Sequence, residues 1–182
     1  MHKVLITALA SWLFFGCGAT PLPPRQEMLV PNQEDLKAAI LQHAKIMQKA
    51  FQEGNAEVYI PYVDPELVKL VGGKEDLKEK VFAKPPEMLK SLKSVEYGEV
   101  SDVLLEEGQY VAIFPIIMTF DLPDFRKVQK IFRVGISPDE GTSWYFIEGN
   151  GERNSNKFVE SRFQVLGKYL ELPECYTRKE RK

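Results

Sequence analysis

The apolar residues of this chain change their spacing once, near residue 94, and that change limits the folds open to it. From Leu36 through Ile40, His43, Met47 and Ala50/Phe51 they recur every three or four residues, the period of one helix face. From Val95 and Tyr97 onward they recur every second residue, the period of a strand. A chain that is helical first and extended afterwards lacks the alternation of strand and helix that builds a parallel sheet. The expectation is an α+β domain, with N-terminal helices packed on one face of a strongly curved antiparallel sheet.

Local signals place the elements. Asn32 stands where a cap is needed for the first helix, and Gly54 stands at its end. A short segment follows over Glu57–Tyr62, and Asp64-Pro65 opens another over Glu66–Val71, which Gly72-Gly73 breaks. Lys74–Ala83 carries Leu77, Val81 and Phe82 on one side and is expected to end at Lys84-Pro85-Pro86, with one more turn over Glu87–Lys93. In the second half, Val103 and Leu105 precede a Glu106-Glu107-Gly108 turn and a long strand. There Tyr110, Ala112, Phe114, Ile116, Met118 and Phe120 face one way and Val111, Ile113 and Ile117 the other. Pro115 has no N–H to give to a ladder and predicts a bulge or a sheet edge. After Leu122-Pro123-Asp124, Val128, Phe132, Val134 and Ile136 make the inward face opposite Lys127, Gln129, Ile131 and Arg133, and Ser143–Glu148 returns as the last strand. Phe158–Leu170 leaves a terminal helix open, and Arg178–Lys182 reads as a solvated tail.

The first residues carry an address. Met1-His2-Lys3 supplies one basic residue, Val4–Phe15 is uncharged and mostly apolar, and Gly16-Cys17-Gly18-Ala19 follows. That is the pattern of an export signal, and the apolar run is shorter than the ~20 residues a membrane span needs. Leu13-Phe14-Phe15-Gly16-Cys17 resembles the bacterial lipobox, although Phe14 stands where Leu is usual and Leu13 comes one place early. The resemblance implies lipid attachment at Cys17 and a protein held at a membrane of the bacterial cell envelope. Four prolines between Gly18 and Asn32 suit an extended tether with a reach of roughly 45 Å. The expected division is signal peptide over 1–16, tether over 17–32, folded domain over 33–173 and basic tail over 174–182.

Charge and chemistry-bearing residues exclude more than they assign. With 24 Lys+Arg against 26 Asp+Glu there is no clustered basic excess of the kind nucleic acid selects. If Cys17 carries lipid, Cys175 is the one remaining cysteine and has no partner for an intramolecular disulfide. His43 is the only histidine after the signal segment, so no zinc-ligand set can be assembled, and no cofactor is expected. Tyr59, Tyr62, Tyr97, Tyr110 and Tyr145 read first as packing.

Two resemblances follow from these segments. The order of a long capped helix, Asp64-Pro65-Glu66-Leu67-Val68, Gly72-Gly73-Lys74-Glu75, a helix and then long strands closing on Trp144-Tyr145-Phe146-Ile147-Glu148 resembles the nuclear transport factor 2-like superfamily, which includes ketosteroid isomerase-like enzymes. It implies a cone-shaped roll over about Asn32–Gly149, an apolar cavity between helix and sheet, and homodimers through the outer sheet face. Ser137-Pro138-Asp139-Glu140-Gly141-Thr142-Ser143-Trp144 resembles the Asp-box hairpin of sialidases. One copy after a helical half cannot make a propeller, so the implied content is structural: Ser137 and Asp139 bonding turn N–H groups, Gly141 at positive φ and Trp144 as an anchor.

The residues expected to line a cavity are His43, Tyr97, Phe114 and Met118. No carboxylate base can be placed among them, and the acids Asp121 and Asp124 read as turn chemistry. The leading expectation is therefore a lipid-anchored, non-enzymatic domain that binds a small apolar ligand or a protein partner. The alternative is a cavity enzyme of isomerase or hydratase type with His43 or Asp121 as proton carrier.

Overall fold

The structure, a computed structural model, describes residues 22–82, 90–150 and 153–181, without the side chains of 153–156. Its elements in chain order are α1 (Arg25–Met28), α2 (Gln33–Gln52), α3 (Ala56–Tyr59) with a 3-10 turn at Ile60–Tyr62, α4 (Pro65–Leu70), α5 (Lys74–Phe82), β1 (Leu92–Tyr97), β2 (Leu104–Glu106), β3 (Gln109–Asp121), β4 (Phe125–Ser137), β5 (Tyr145–Gly149), α6 (Arg153–Arg162) and β6 (Tyr176–Arg181). Helices precede an antiparallel sheet, so the fold class is α+β. The signal segment and Cys17, and the expected helix stop at Lys84-Pro85-Pro86, lie outside the described residues.

The sheet is built around one long hairpin. β3 and β4 pair from Tyr110↔Ser137 to Asp121↔Arg126 without a shift. Neither outer edge is lined by a single strand. On the β3 side β1 pairs with its second half and β2 with its beginning. On the β4 side β6 pairs with its beginning and β5 with its end.

This tandem arrangement accounts for Pro115, which sits at neither a bulge in β3 nor the rim of the sheet. Its register with Phe132 is regular, and its other side meets the interval between β1 and β2, where no ladder N–H is required. The Gly98 N–H still reaches the Pro115 carbonyl at 2.9 Å. Gly98 must be glycine for this approach, since a Cβ there would lie 2.4 Å from the Pro115 ring. Ser101 fills the remaining interval, its N–H donating to the Ile113 carbonyl and its Oγ accepting from the Ile113 N–H.

Helix signals act largely as expected. α2 ends in a Schellman arrangement, with the Asn55 N–H on the Ala50 carbonyl and the Gly54 N–H on the Phe51 carbonyl. The Asp64 carboxylate caps α4 through the Glu66 and Leu67 N–H groups. Asn32 differs: it is left-handed at φ 57°, and its side chain makes no capping bond. Gln33 does the local work instead, donating to the Val30 and Val103 carbonyls and accepting from the Val103 N–H.

The largest departures from expectation are at the ends of the chain and on the second sheet face. Helices α2 to α5 cover one face, over Ile40, Ala44, Met47, Phe114, Ile116 and Phe146. The other face is covered too, by Met28 and by Val159, Phe163, Val165 and Leu170 against Val111, Phe132 and Val134. The helices therefore do not keep to one face. The supposed tether is part of the fold from Leu22 on: Leu29 bridges Leu104, Met28 and Val30 are buried, and Tyr169 Oη donates to the Pro23 carbonyl. The supposed tail is β6, paired with β4 from Phe125↔Arg181 to Lys130↔Tyr176. Leu105 is exposed while Leu104 is buried, because β2 points Leu104 into the second core.

Docking of the N-terminal segment generates a test. Met28 is 3% exposed within the second core, so Met28→Ala is expected to lower unfolding free energy by about 2–4 kcal/mol in urea. The half-exposed Leu29→Ala serves as the control that changes it little; equal effects would mean that the segment does not pack as described.

Candidate functional site

The face of the sheet beneath α2 brings most of the expected site residues into one row of rings. His43 contacts Tyr62 at 5.7 Å between centroids, Tyr62 contacts Phe146 at 6.4 Å, Phe146 contacts Phe114 at 6.1 Å and Phe114 contacts Tyr97 at 6.4 Å. His43 and Tyr97 are thus the two ends of one row whose middle, Phe114 and Phe146, is solid core. Met118 stands outside the row, beyond Tyr97, opposite Val95 in β1 and Gln129 in β4, and is half-buried. Such rings are at the separations aromatic pairs favour, and filling the interface is their first effect.

Asp121 does not join them. It is exposed at the β3–β4 turn, seven residues along β3 from Phe114, roughly 23 Å away at about 3.3 Å per residue. Asp124 is likewise exposed in that turn. His43 Nδ1 is buried and makes no hydrogen bond, and among the described residues no carboxylate is hydrogen-bonded or ion-paired to His43. Cys175 is half-buried, its thiol pointing at the Gly149 and Pro173 carbonyls, and burial pushes its pKa up, the opposite of an activated nucleophile. Among the described residues no cluster of His, Cys, Asp and Glu could hold a metal ion, and no helix is long and apolar enough to cross a membrane.

The residue that sequence reasoning missed is Arg133. It stands in β4 between Phe114 on β3 and Glu148 on β5, and its side chain is 4% exposed under α2. Its Nε and Nη2 donate to one Glu148 oxygen at 3.4 and 3.2 Å, and Nη2 also donates to Gln48 Oε1 at 3.0 Å. That uses one edge of the planar guanidinium and turns Nη1 toward β3 and β1. Nη1 is buried and without a hydrogen-bond partner. Two phenols feel the group. Tyr59 is pushed up to about 12, chiefly by burial and then by the Glu148 charge, with Arg133 opposing. Burial also raises Tyr97, again against the pull of Arg133. The sequence signal was available but was assigned to the wrong side: Ile131-x-Arg133-x-Gly135 is a second inward face, and Gly135 leaves room for Ile40 of α2.

The Asp-box-like hairpin is structural, as its residues imply. Ser137 Oγ donates to Asp139 Oδ1 at 2.9 Å and accepts from the Gly141 N–H at 2.8 Å. Asp139 also accepts from the Ser143 N–H at 2.8 Å and from Ser143 Oγ at 2.6 Å. Gly141 takes φ 92° against Leu36 of α2, and Trp144 Nε1 donates to its carbonyl from a buried position. Elsewhere, an apolar groove of about 480 Å³ opens beside α4, lined by Ile60, Pro61, Val63, Val68 and Tyr145 with Lys69 and Lys74 at its rim. None of the expected site residues lines it.

Two outcomes are expected from unfolding measurements. The hydrogen bonds from Ser143 hold the Asp139 carboxyl below its ordinary value, so its contribution is present above about pH 4 and is lost as pH falls through the lower folded pKa. Asp139→Ala should therefore cost about 1 kcal/mol at pH 7 and progressively less in acid; a pH-independent loss would contradict the assignment. Arg133→Met should cost about 1–3 kcal/mol, because half-exposed Glu148 stays solvated and the side-chain volume is kept, while buried Gln48 Oε1 loses its donor. A loss above about 5 kcal/mol would make Arg133 a structural residue. Comparison of the chain with protein-family models, with curated proteins and with solved structures finds no match.

Proposed function

We propose that the chain is a lipid-anchored protein of the bacterial envelope whose domain binds a small apolar ligand and performs no chemistry on it. The observation that carries this reading is Arg133: a cation almost wholly withdrawn from water, with its Nη1 nitrogen unpaired, near the half-buried Tyr97. Small-molecule sites combine apolar and aromatic walls with a few placed polar groups, and this end of the ring row has that composition. Proton transfer has less support, because Asp121 is exposed in the β3–β4 turn and, among the described residues, no carboxylate is bonded to His43 to orient it. The anchor rests on the export signal and the Gly16-Cys17 pair.

The two parts of the proposal have separate tests. Cys17→Ser should abolish labelling of the protein by radioactive fatty acid in growing bacteria, and continued labelling would remove the anchor. A native mass spectrum of the detergent-extracted protein should show an added apolar molecule that is absent after organic extraction. A spectrum of bare protein, with no binding of added amphiphiles, would remove the ligand.

A further inference from the structure

We infer that the ligand is an amphiphile whose polar end is a carboxylate, and that Arg133 Nη1 receives it. This rests on the binding function proposed above and adds the chemical class. An arginine side chain 4% exposed has lost nearly all its water, and Glu148, itself half-exposed, faces only the Nε–Nη2 edge. Gln48 takes the second proton of Nη2. The two protons of Nη1 are left without an acceptor, a state that buried polar groups rarely keep.

The position of that nitrogen selects the ligand. Glu148 approaches from β5, so the opposite edge of the guanidinium faces β3, where Phe114 stands in register with Arg133, and the Arg133 charge reaches Tyr97 of β1. These side chains offer rings, suited to an aliphatic chain, while Nη1 offers a charged donor at its end. An oxygen anion satisfies the donor and balances charge that Glu148, half in water, neutralises only in part. A phosphate would need more donors than the one nitrogen left over. A hydroxyl would accept from Nη1 without matching its charge.

The test compares two probes of equal chain length, decanoate and 1-decanol, by titration calorimetry on the intact protein. Decanoate is expected to bind about tenfold more tightly than decanol, the difference a charged hydrogen bond commonly makes. In Arg133→Met, checked for folding by circular dichroism, the two affinities should become equal, with decanoate losing more affinity than decanol. Arg133→Lys should keep part of the preference for decanoate. Equal affinities in the unaltered protein would overturn the inference while leaving the apolar site in place, as would a preference that survives in folded Arg133→Met. Failure of both probes to bind would overturn the binding function itself.

Discussion

The unbroken pairing of β3 with β4 is the constraint on which the other parts of this domain depend. Two strands of 13 residues present side chains on both faces over their whole length, and both faces carry apolar residues. Neither face can be left to water. The helices α2 to α5 cover one, and Met28 with the chain around Phe163 covers the other. The long hairpin also has two long edges, and exposed edges invite pairing with other chains. Short strands in tandem occupy both, and the Val63↔Phe146 bridge and Asp64 N–H to Phe146 carbonyl bond cover the outer side of β5.

Closing both faces commits charged groups to the interior, and each is handled differently. Asp64 caps α4 and meets Arg162 of α6 at 3.5 Å, so it fastens elements from both sides of the sheet. Glu106 accepts from the Gln164 and Val165 N–H groups and holds the second cover against β2. In both cases backbone donors compensate for burial, which is what a carboxylate requires to remain inside. Arg133 is the exception. Its Glu148 partner is half outside, and one of its nitrogens has no acceptor, so it departs from the rule that Asp64 and Glu106 obey. Such departures concentrate where a protein does something besides fold.

Much of the architecture was legible from local signals. The period change separated helices from strands, Gly54 and Asp64-Pro65 marked helix boundaries, and Ser137 to Trp144 announced a hairpin whose hydrogen bonds form as their residue types require. The terminal segments were not legible. Tyr176–Arg181 alternates mostly polar residues, and its pairing with β4 comes from backbone groups that every sequence possesses. Leu22–Val30 is rich in proline and short of any period, yet it is captured because Met28 and Val30 find cores that other segments built. Arg133 was assigned to water because a strand is read as having one inner face, whereas the middle of β4 has two.

The sequence by itself determined the order and kind of the elements, because helix caps, turns and apolar periods act between residues a few positions apart. Only the tertiary structure decided what each surface meets. Whether a segment is tether or edge strand, whether a basic tail is solvated or paired, and whether an arginine looks outward or stands unpaired beneath a helix all depend on residues distant in the chain. No local spacing encodes the burial those distant residues impose.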